Sequence, residues 1–387
     1  MNKQRILLIT HEFAQQGGAG VYAYELARAM ANNKVEIHVM CMGDKTRTEV
    51  ISNRLVVHYH NIIDRPFIKV PSHHFQVWRK SKKIIKKYQL QTAHSNNYAG
   101  AFAYRRIPMI STIHHLAEDE VRQHKSFVQR LVYSADIYFQ RRILRSSNSV
   151  VVDSHLTKKA LMRICNRAIT VMPCGIDTDL FKKHPLIVAR SHVGITPGKI
   201  LLFFPGGIRS KRKGALDLLE AMKSFSVNDF CCMVSGASRG DIGWSHEFNQ
   251  ALLESGLEKN FIFLGEIKFY ELPWYYSAAD IIVYPSTFEG FGLPALEALA
   301  CERPFLGTRT GEMPYIIKDG YNGLLVDVSR PDQLRIALEK LIYSKDTRDA
   351  LASKARQSIT NYSWQNLAKS IATLHQQALN EADNKHD

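Results

Sequence analysis

Residues 285–304 read PSTFEGFGLPALEALACERP, and how that stretch divides decides the fold. In front of it, Asp280-Ile281-Ile282-Val283-Tyr284 has the length and β-branching of a buried strand. Pro285 and Ser286 stop the strand. Leu293 to Ala300 has the composition of a helix, with Pro294 tolerated in its first turn. The unit is therefore strand, glycine-rich turn, helix, with Glu289 on the turn and Glu297 inside the helix. Such a turn offers an anion site at the helix N-terminus, while the two carboxylates are free to bind hydroxyl groups. A surface glutamate and a helix glutamate eight residues apart by chance would fit the same stretch, so the rest of the chain must decide.

Both halves of the chain open in the same way. RILLIT reads as a buried strand, followed by a loop ending in QQGGAG and the helical run VYAYELARAMA. KILLFFPGG, IRSKRKG and ALDLLEAMKSF repeat that order in the second half. Further strands alternate with helical stretches: VEIHVMCM, LVVHYHNI and PMISTIHH early, FCCMVSG, FIFLGEI, PFLGTRTG and GLLVDV late. This alternation predicts α/β architecture, two Rossmann-like, doubly wound parallel-sheet domains. The expected division is 1–180, 181–365 and a C-terminal helix and polar tail over 366–387 crossing back to the N-terminal domain, with a linker near 178–196. Ligands in such sheets bind beyond the C-terminal ends of the strands.

Composition narrows the classes. With 387 residues, 45% of them hydrophobic, the chain has the material for two full cores. No apolar run approaches the roughly 18 residues of a membrane span, and MNKQRILLITHEF reads as a first strand and not a signal peptide. The six cysteines form no CxxC pair and are expected to be reduced, which suits the cytoplasm. The net charge of +15 is lopsided: residues 1–180 hold 27 Lys and Arg against 13 Asp and Glu, the remainder 24 against 23. A basic half implies a polyanionic surface or substrate on that side. No nucleic-acid-binding motif accompanies it.

Three constellations stand at predicted strand ends. Gly18-x-Gly20-x-x-Ala23 matches a dinucleotide fingerprint on paper, but Gly17 comes seven residues after Thr10, too late for that motif. Gly17 and Gly18 remain suited to close approach of a phosphate or sugar oxygen. Gly206 to Gly214 carries Arg209, Lys211, Arg212 and Lys213 at a strand-to-helix loop without P-loop spacing, a pattern that fits a diphosphate. His114 and His115 end the strand PMISTIHH. Asp177-x-Asp179 resembles a metal pair, but its place after Gly175 reads as a turn and helix cap.

Taken in order, GGAGVYAYELARAM, STIHHL, VVDSHLTKKAL, VMPCGIDTDLF and the long stretch from GEIKFYELPWYYSAAD through ERPFLGTRTGEMPYIIKDGYNGLLV resemble the retaining glycosyltransferases of family four. The resemblance implies a GT-B fold, two Rossmann-like domains facing across a cleft, and transfer of a hexose-type sugar from a nucleotide-diphosphate sugar. It implies that Glu297 binds the ribose hydroxyls and that Glu289 lies against the transferred sugar. The backbone of Phe291, Gly292 and Leu293 would meet sugar and diphosphate, and Lys213 the diphosphate. Gly17 and Gly18 would form the loop over the phosphates, and His114 would stand near the donor sugar. The family's usual arginine position is Ile208 here, leaving Arg209, or else Arg212, to supply the charge. CERP and GEMPYII also depart from the family's usual glycines. The implied chemistry is a front-face route with leaving-group charge held by Lys213, Arg209 and the helix N-terminus, needing neither cofactor nor metal. A nucleotide-sugar epimerase on the same fold and a dinucleotide-dependent oxidoreductase are the alternatives.

The basic N-terminal half supplies the last expectation. VWRKSKKIIKKY sorts Val77, Ile84, Ile85 and Tyr88 onto one helical face and six cations onto the rest, and FVQRLVYSADIYFQRRILR mixes aromatics with arginines. Both suggest peripheral attachment to an anionic membrane, on the inner face of the cell membrane, and a lipid-linked or lipopolysaccharide-type acceptor of negative charge.

Overall fold

The computed structural model describes residues 4–15, 17–65, 68–123, 127–195, 198–208, 210–236 and 244–384. The chain forms two compact units, Met1–Gly175 with Trp364–Asp387, and Ile176–Ser363.

The first unit runs β1 (Arg5–Ile9), α1 (Gly18–Asn32), β2 (Glu36–Gly43), β3 (Arg47–Ser52), β4 (Leu55–Asn61), α2 (Lys69–Tyr88), β5 (Thr92–Asn96), β6 (Met109–Ile113), α3 (Ala117–Gln123), α4 (Phe127–Ser146), β7 (Ser149–Val152), α5 (His155–Leu161) and β8 (Ile169–Val171). Its sheet has the order β3-β4-β2-β1-β5-β6-β7-β8. Every pairing is parallel except β3 with β4. The β-branched and leucine-rich strands are buried because a parallel sheet is covered on both faces. β3 is wholly exposed and presents Arg47 and Glu49 along the sheet edge, charges that discourage pairing with another chain. β5, Thr-Ala-His-Ser-Asn, is wholly buried although mostly polar.

The second unit runs α6 (Leu186–His192), β9 (Ile200–Phe204), α7 (Ala215–Met222), β10 (Phe230–Val234), α8 (Trp244–Ser255), β11 (Phe261–Phe263), α9 (Leu272–Ala278), β12 (Ile281–Tyr284), α10 (Leu293–Ala300), β13 (Phe305–Thr308), α11 (Met313–Ile316), β14 (Leu324–Val326), α12 (Pro331–Tyr343) and α13 (Lys345–Ala355). The final helix, α14 (Trp364–Asp383), belongs to the first unit and packs on α1. The second sheet, β11-β10-β9-β12-β13-β14, is parallel throughout. Residues 178–196, read above as linker, contain α6, which is tied to the second unit: Arg190 binds Asp280 at 2.7 Å and the Ala278 carbonyl at 3.1 Å.

Each strand order reverses once, between β1 and β5 in the first sheet and between β9 and β12 in the second. At such a point the loops leaving neighbouring strands diverge and open a crevice at the carboxyl edge. In the second unit those loops are 205–214 and 285–292, the two stretches that carry Lys213 and Glu289. In the first, the β1 loop carries Gly17 and β5 ends at Asn96.

Candidate functional site

The two loops of the second unit are stapled together by their backbones. Thr287 N donates to the Arg212 carbonyl at 2.7 Å, and Ser286 Oγ lies 2.8 Å from the same oxygen. Gly214 closes the short turn Lys211–Lys213 at φ +73°, where an added Cβ would lie 1.9 Å from the Pro285 carbonyl oxygen. Only glycine fits there, and its absence of a side chain lets the cationic turn lie against the end of β12.

That approach converges four donors on one oxygen. Glu289 Oε1 accepts from Lys213 Nζ (2.7 Å), Arg212 (3.1 Å), Tyr284 Oη (2.8 Å) and Ser286 Oγ (2.7 Å). Lys213 Nζ also donates to the Tyr284 hydroxyl. Burial pushes the Glu289 carboxyl up, but Lys213 and Arg212 beside it outweigh that and hold it below the usual range. Burial is also the largest influence on Lys213, whose ammonium is depressed despite Glu289. Glu297 behaves in the opposite way. It is buried in α10, accepts a hydrogen bond from Tyr276 Oη, and burial raises it to about 7 against the lowering effects of Tyr276 and Lys213. One carboxylate is thus fixed as an anion, and its neighbour titrates near neutrality.

Phe291 and Gly292 are buried and Leu293 half-buried at the start of α10. Gly292, at φ +106°, caps that helix without any side-chain cap, leaving N-terminal N–H groups for an anion. The GEMP segment supports this turn from behind: Glu312 N donates to the Phe291 carbonyl at 2.8 Å, and a Cβ on Gly311 would strike the same oxygen at 2.6 Å. Arg209 lies outside the described residues. Arg212 is the arginine bonded to Glu289.

In the first unit, His114 follows β6 and is buried. Its Nδ1 lies 2.6 Å from Asp153 Oδ2 and its Nε2 2.6 Å from Asn96 Oδ1. The Asn96 amide nitrogen donates to the Ala19 carbonyl and to Thr10 Oγ1, which itself donates to Glu12 O. With the amide nitrogen engaged there, Asn96 Oδ1 is the atom that faces His114 Nε2. Tyr22 packs edge-on against the ring at 4.6 Å. His115 follows, its carbonyl accepting from Gln140. Gly17 and Gly18 are exposed at the start of α1, which has no side-chain cap and no acidic residue in its first turn. The structure thus gathers Lys213, Glu289 and the α10 turn in one unit and His114 and the α1 turn in the other. Asp177 Oδ1 accepts from the backbone N–H groups of Asp179 and Leu180, both at 3.0 Å, a turn and cap. Among the described residues no group of three or more His, Cys, Asp or Glu is placed to hold a metal ion.

Sequence reading missed Tyr284, Tyr276, Ser286 and Asn96. Tyr284 counted there as an apolar strand residue, and nothing in the spacing of either tyrosine separates one that packs from one that donates to a carboxylate.

Comparison with known proteins agrees with this geometry. Residues 189–358 match the model of glycosyl transferases group 1, and residues 16–180 that of glycosyltransferase family 4. The D-inositol 3-phosphate glycosyltransferase of Paenarthrobacter aurescens is 25% identical over 94% of this chain and 93% of its own. Among solved structures, sucrose-phosphate synthase of Thermosynechococcus elongatus superposes with a TM-score of 0.82 at 22% identity, covering 97% of this chain and 99% of that one. HepE of Anabaena, solved with UDP and glucose, gives 0.75 at 19%, covering 96% and 99%. Two parallel-sheet units with loops meeting at their switch points, matched by both family models, place the chain in glycosyltransferase family 4, a GT-B glycosyltransferase.

Proposed function

We propose that the protein is a retaining glycosyltransferase that moves a hexose-type sugar from a nucleotide-diphosphate sugar to an anionic cell-envelope glycan or glycolipid. The observation that carries this reading is the four-donor clasp on Glu289 at the switch point of the second sheet. A carboxylate held as an anion beside two cations suits a donor whose diphosphate leaves with negative charge and whose anomeric carbon becomes positive. Lys213, Arg212 and the N-terminus of α10 stabilise the departing diphosphate, each strong donor contributing about 3 kcal/mol. Glu289 faces the oxocarbenium-like centre of a front-face displacement. The leaving oxygen parts from the anomeric carbon, the acceptor oxygen adds on the same face, and its proton passes to the departing phosphate. Glu297, ionised, accepts from the ribose hydroxyls. Gly17, Gly18 and His114 serve the phosphates and sugar from the first unit.

The relatives' names favour sugar transfer over the alternatives: an inositol-phosphate glycosyltransferase by sequence, a protein holding UDP and glucose by fold. An epimerase would convert the donor without an acceptor, and an oxidoreductase would bind NAD. The membrane reading rests on α2. It contains seven cations and no acidic residue, buries His73, Val77 and Ile85, and exposes Phe75 and Trp78 beside Arg79, Lys82 and Lys83. Each basic residue near an anionic surface contributes about 1 kcal/mol. No described helix is long and apolar enough to cross a membrane.

The test is a screen of UDP-, GDP-, ADP- and CDP-sugars with lipid-extract acceptors, followed by NMR of the product's anomeric configuration. Acceptor-dependent release of nucleoside diphosphate with retained configuration is expected. Inversion, or sugar conversion without acceptor, refutes the reading. Co-sedimentation with anionic vesicles, lost when Lys82, Lys83, Lys86 and Lys87 become Glu, tests the membrane part.

A further inference from the structure

The N-terminal ends of β6, β7 and β8 carry five arginines that the chemistry above does not use. Arg105 lies in the turn before β6, Arg141, Arg142 and Arg145 on the last turns of α4, and Arg167 before β8. Two adjoining cavities of about 420 and 500 Å³ open among them, and Arg141 and Arg145 line both. Exposed Tyr138 walls the smaller one. No carboxylate lines either.

Three of the guanidinium groups are already held in place. Arg142 donates to the Ala101 carbonyl at 2.9 Å and lies 4.3 Å over the Phe102 ring. Arg167 donates to the Arg145 carbonyl at 3.1 Å, and Arg141 pairs with Glu118 at 2.6 Å. Glu118 is the one acidic side chain bonded to any of the five among the described residues. Arg105 and Arg145 have no side-chain hydrogen bond or ion pair there.

A helix C-terminus favours a cation, which accounts for Arg145 alone. Five like charges around two connected hollows repel one another unless an anion enters. The planar guanidinium fork matches phosphate oxygens in pairs, which a lysine does not. Concavity favours a bound group over a flat bilayer surface, and two lobes that share two arginines fit two adjacent anionic groups.

We propose that this arginine groove is a second anion site, for a diphosphate or two neighbouring phosphomonoesters, at the end of the first unit's sheet opposite His114. The group comes either from a soluble phosphorylated compound or from a lipid headgroup; the chemistry of recognition is shared. The site is independent of the donor site and stands whether or not the donor reading does.

The experiment is hydrogen–deuterium exchange on the full chain with inorganic pyrophosphate at millimolar concentration. Wild type, Lys213→Gln and the pair Arg105→Gln with Arg145→Gln are compared. Slowed exchange over 141–146 and 163–167 is expected in wild type and in Lys213→Gln, with the midpoint raised about tenfold or more in the arginine pair. Vesicles containing phosphatidic acid, set against phosphatidylglycerol at equal charge, separate the sources. Binding that prefers phosphatidic acid and needs both arginines assigns a lipid headgroup, whereas pyrophosphate protection with vesicle binding indifferent to them assigns a soluble ligand. The arginine pair should keep the wild-type circular dichroism spectrum and turnover within about twofold, which excludes misfolding as the cause. No protection of these segments in wild type, or protection unchanged in the arginine pair, overturns the proposal.

Discussion

Acid should unfold the first unit before the second. Buried histidines lie throughout the first unit: His60 Nε2 meets His73 Nδ1 at 2.9 Å, His38 Nδ1 meets His58 Nε2 at 3.0 Å, and His94 Nδ1 meets His375 Nε2 at 3.2 Å. Burial, with Lys69 nearby, lowers His11 to about 4. Burial, with His38 and Lys87, lowers His58 to about 4, and burial, with Lys80 and His11, does the same to His60. Since these values are below the unfolded 6.5, the unfolded chain takes up the protons first. Stability is therefore complete above about pH 7 and falls as pH drops from about 6.5 toward 4. At pH 5 each of these three histidines costs about 2 kcal/mol, together on the order of 6 kcal/mol, comparable with the whole stability of a domain. His74 and His94, lowered by burial to about 2 and about 3, act in the same direction. None of the second unit's described histidines is buried. The assay is urea unfolding followed by hydrogen exchange, with peptides from each unit read separately at pH 7.5 and pH 5. The first unit's midpoint should fall steeply while the second's moves little. A first-unit midpoint unchanged at pH 5, or an equal fall in both, refutes the reasoning.

Three other outcomes follow from the donor-site geometry. With Glu297 near 7, nucleotide affinity should weaken about tenfold between pH 8 and pH 6 as the carboxylate is protonated. Tyr276→Phe, which removes a donor to the ionised form, should move that midpoint upward; calorimetry showing a flat profile would count against the ribose role. Tyr284→Phe removes the hydroxyl bridging Lys213 and Glu289; kcat should fall by roughly 10- to 100-fold, the loss of a charge-assisted bond of about 1.5–3 kcal/mol, and an unchanged kcat contradicts it. Gly214→Ala, with its Cβ aimed at the Pro285 carbonyl, should lower the Tm of the second unit by several degrees; a wild-type melting curve would mean the two loops are not stapled as described.

Much of this was legible in sequence where burial and apolar content coincide. Strands such as Ile200–Phe204 and Ile281–Tyr284 are buried on both faces and read as unbroken apolar runs. β5 was not legible: it is just as buried, but its polar side chains are satisfied by neighbouring groups, His94 by Thr112 of β6 and Ser95 by the Asn97 carbonyl. β3 lacked a signal for the opposite reason, being exposed along its whole length. In the site, Glu289, Glu297 and Lys213 stood out through the resemblance of their motifs to the glycosyltransferases of family four, since the spacing of the two glutamates alone would also fit chance. The place of Arg212 beside Glu289 rests on the conformation of the turn Lys211–Lys213, which Gly214 sets and the order of residues does not show.

The most direct measurement is Glu289→Gln, assayed for sugar transfer and for nucleotide binding side by side. The account assigns this carboxylate to the reacting sugar and not to the nucleotide. Transfer should nearly vanish while nucleotide affinity stays within a few fold of wild type. Turnover like wild type, or loss of binding in step with activity, would contradict it.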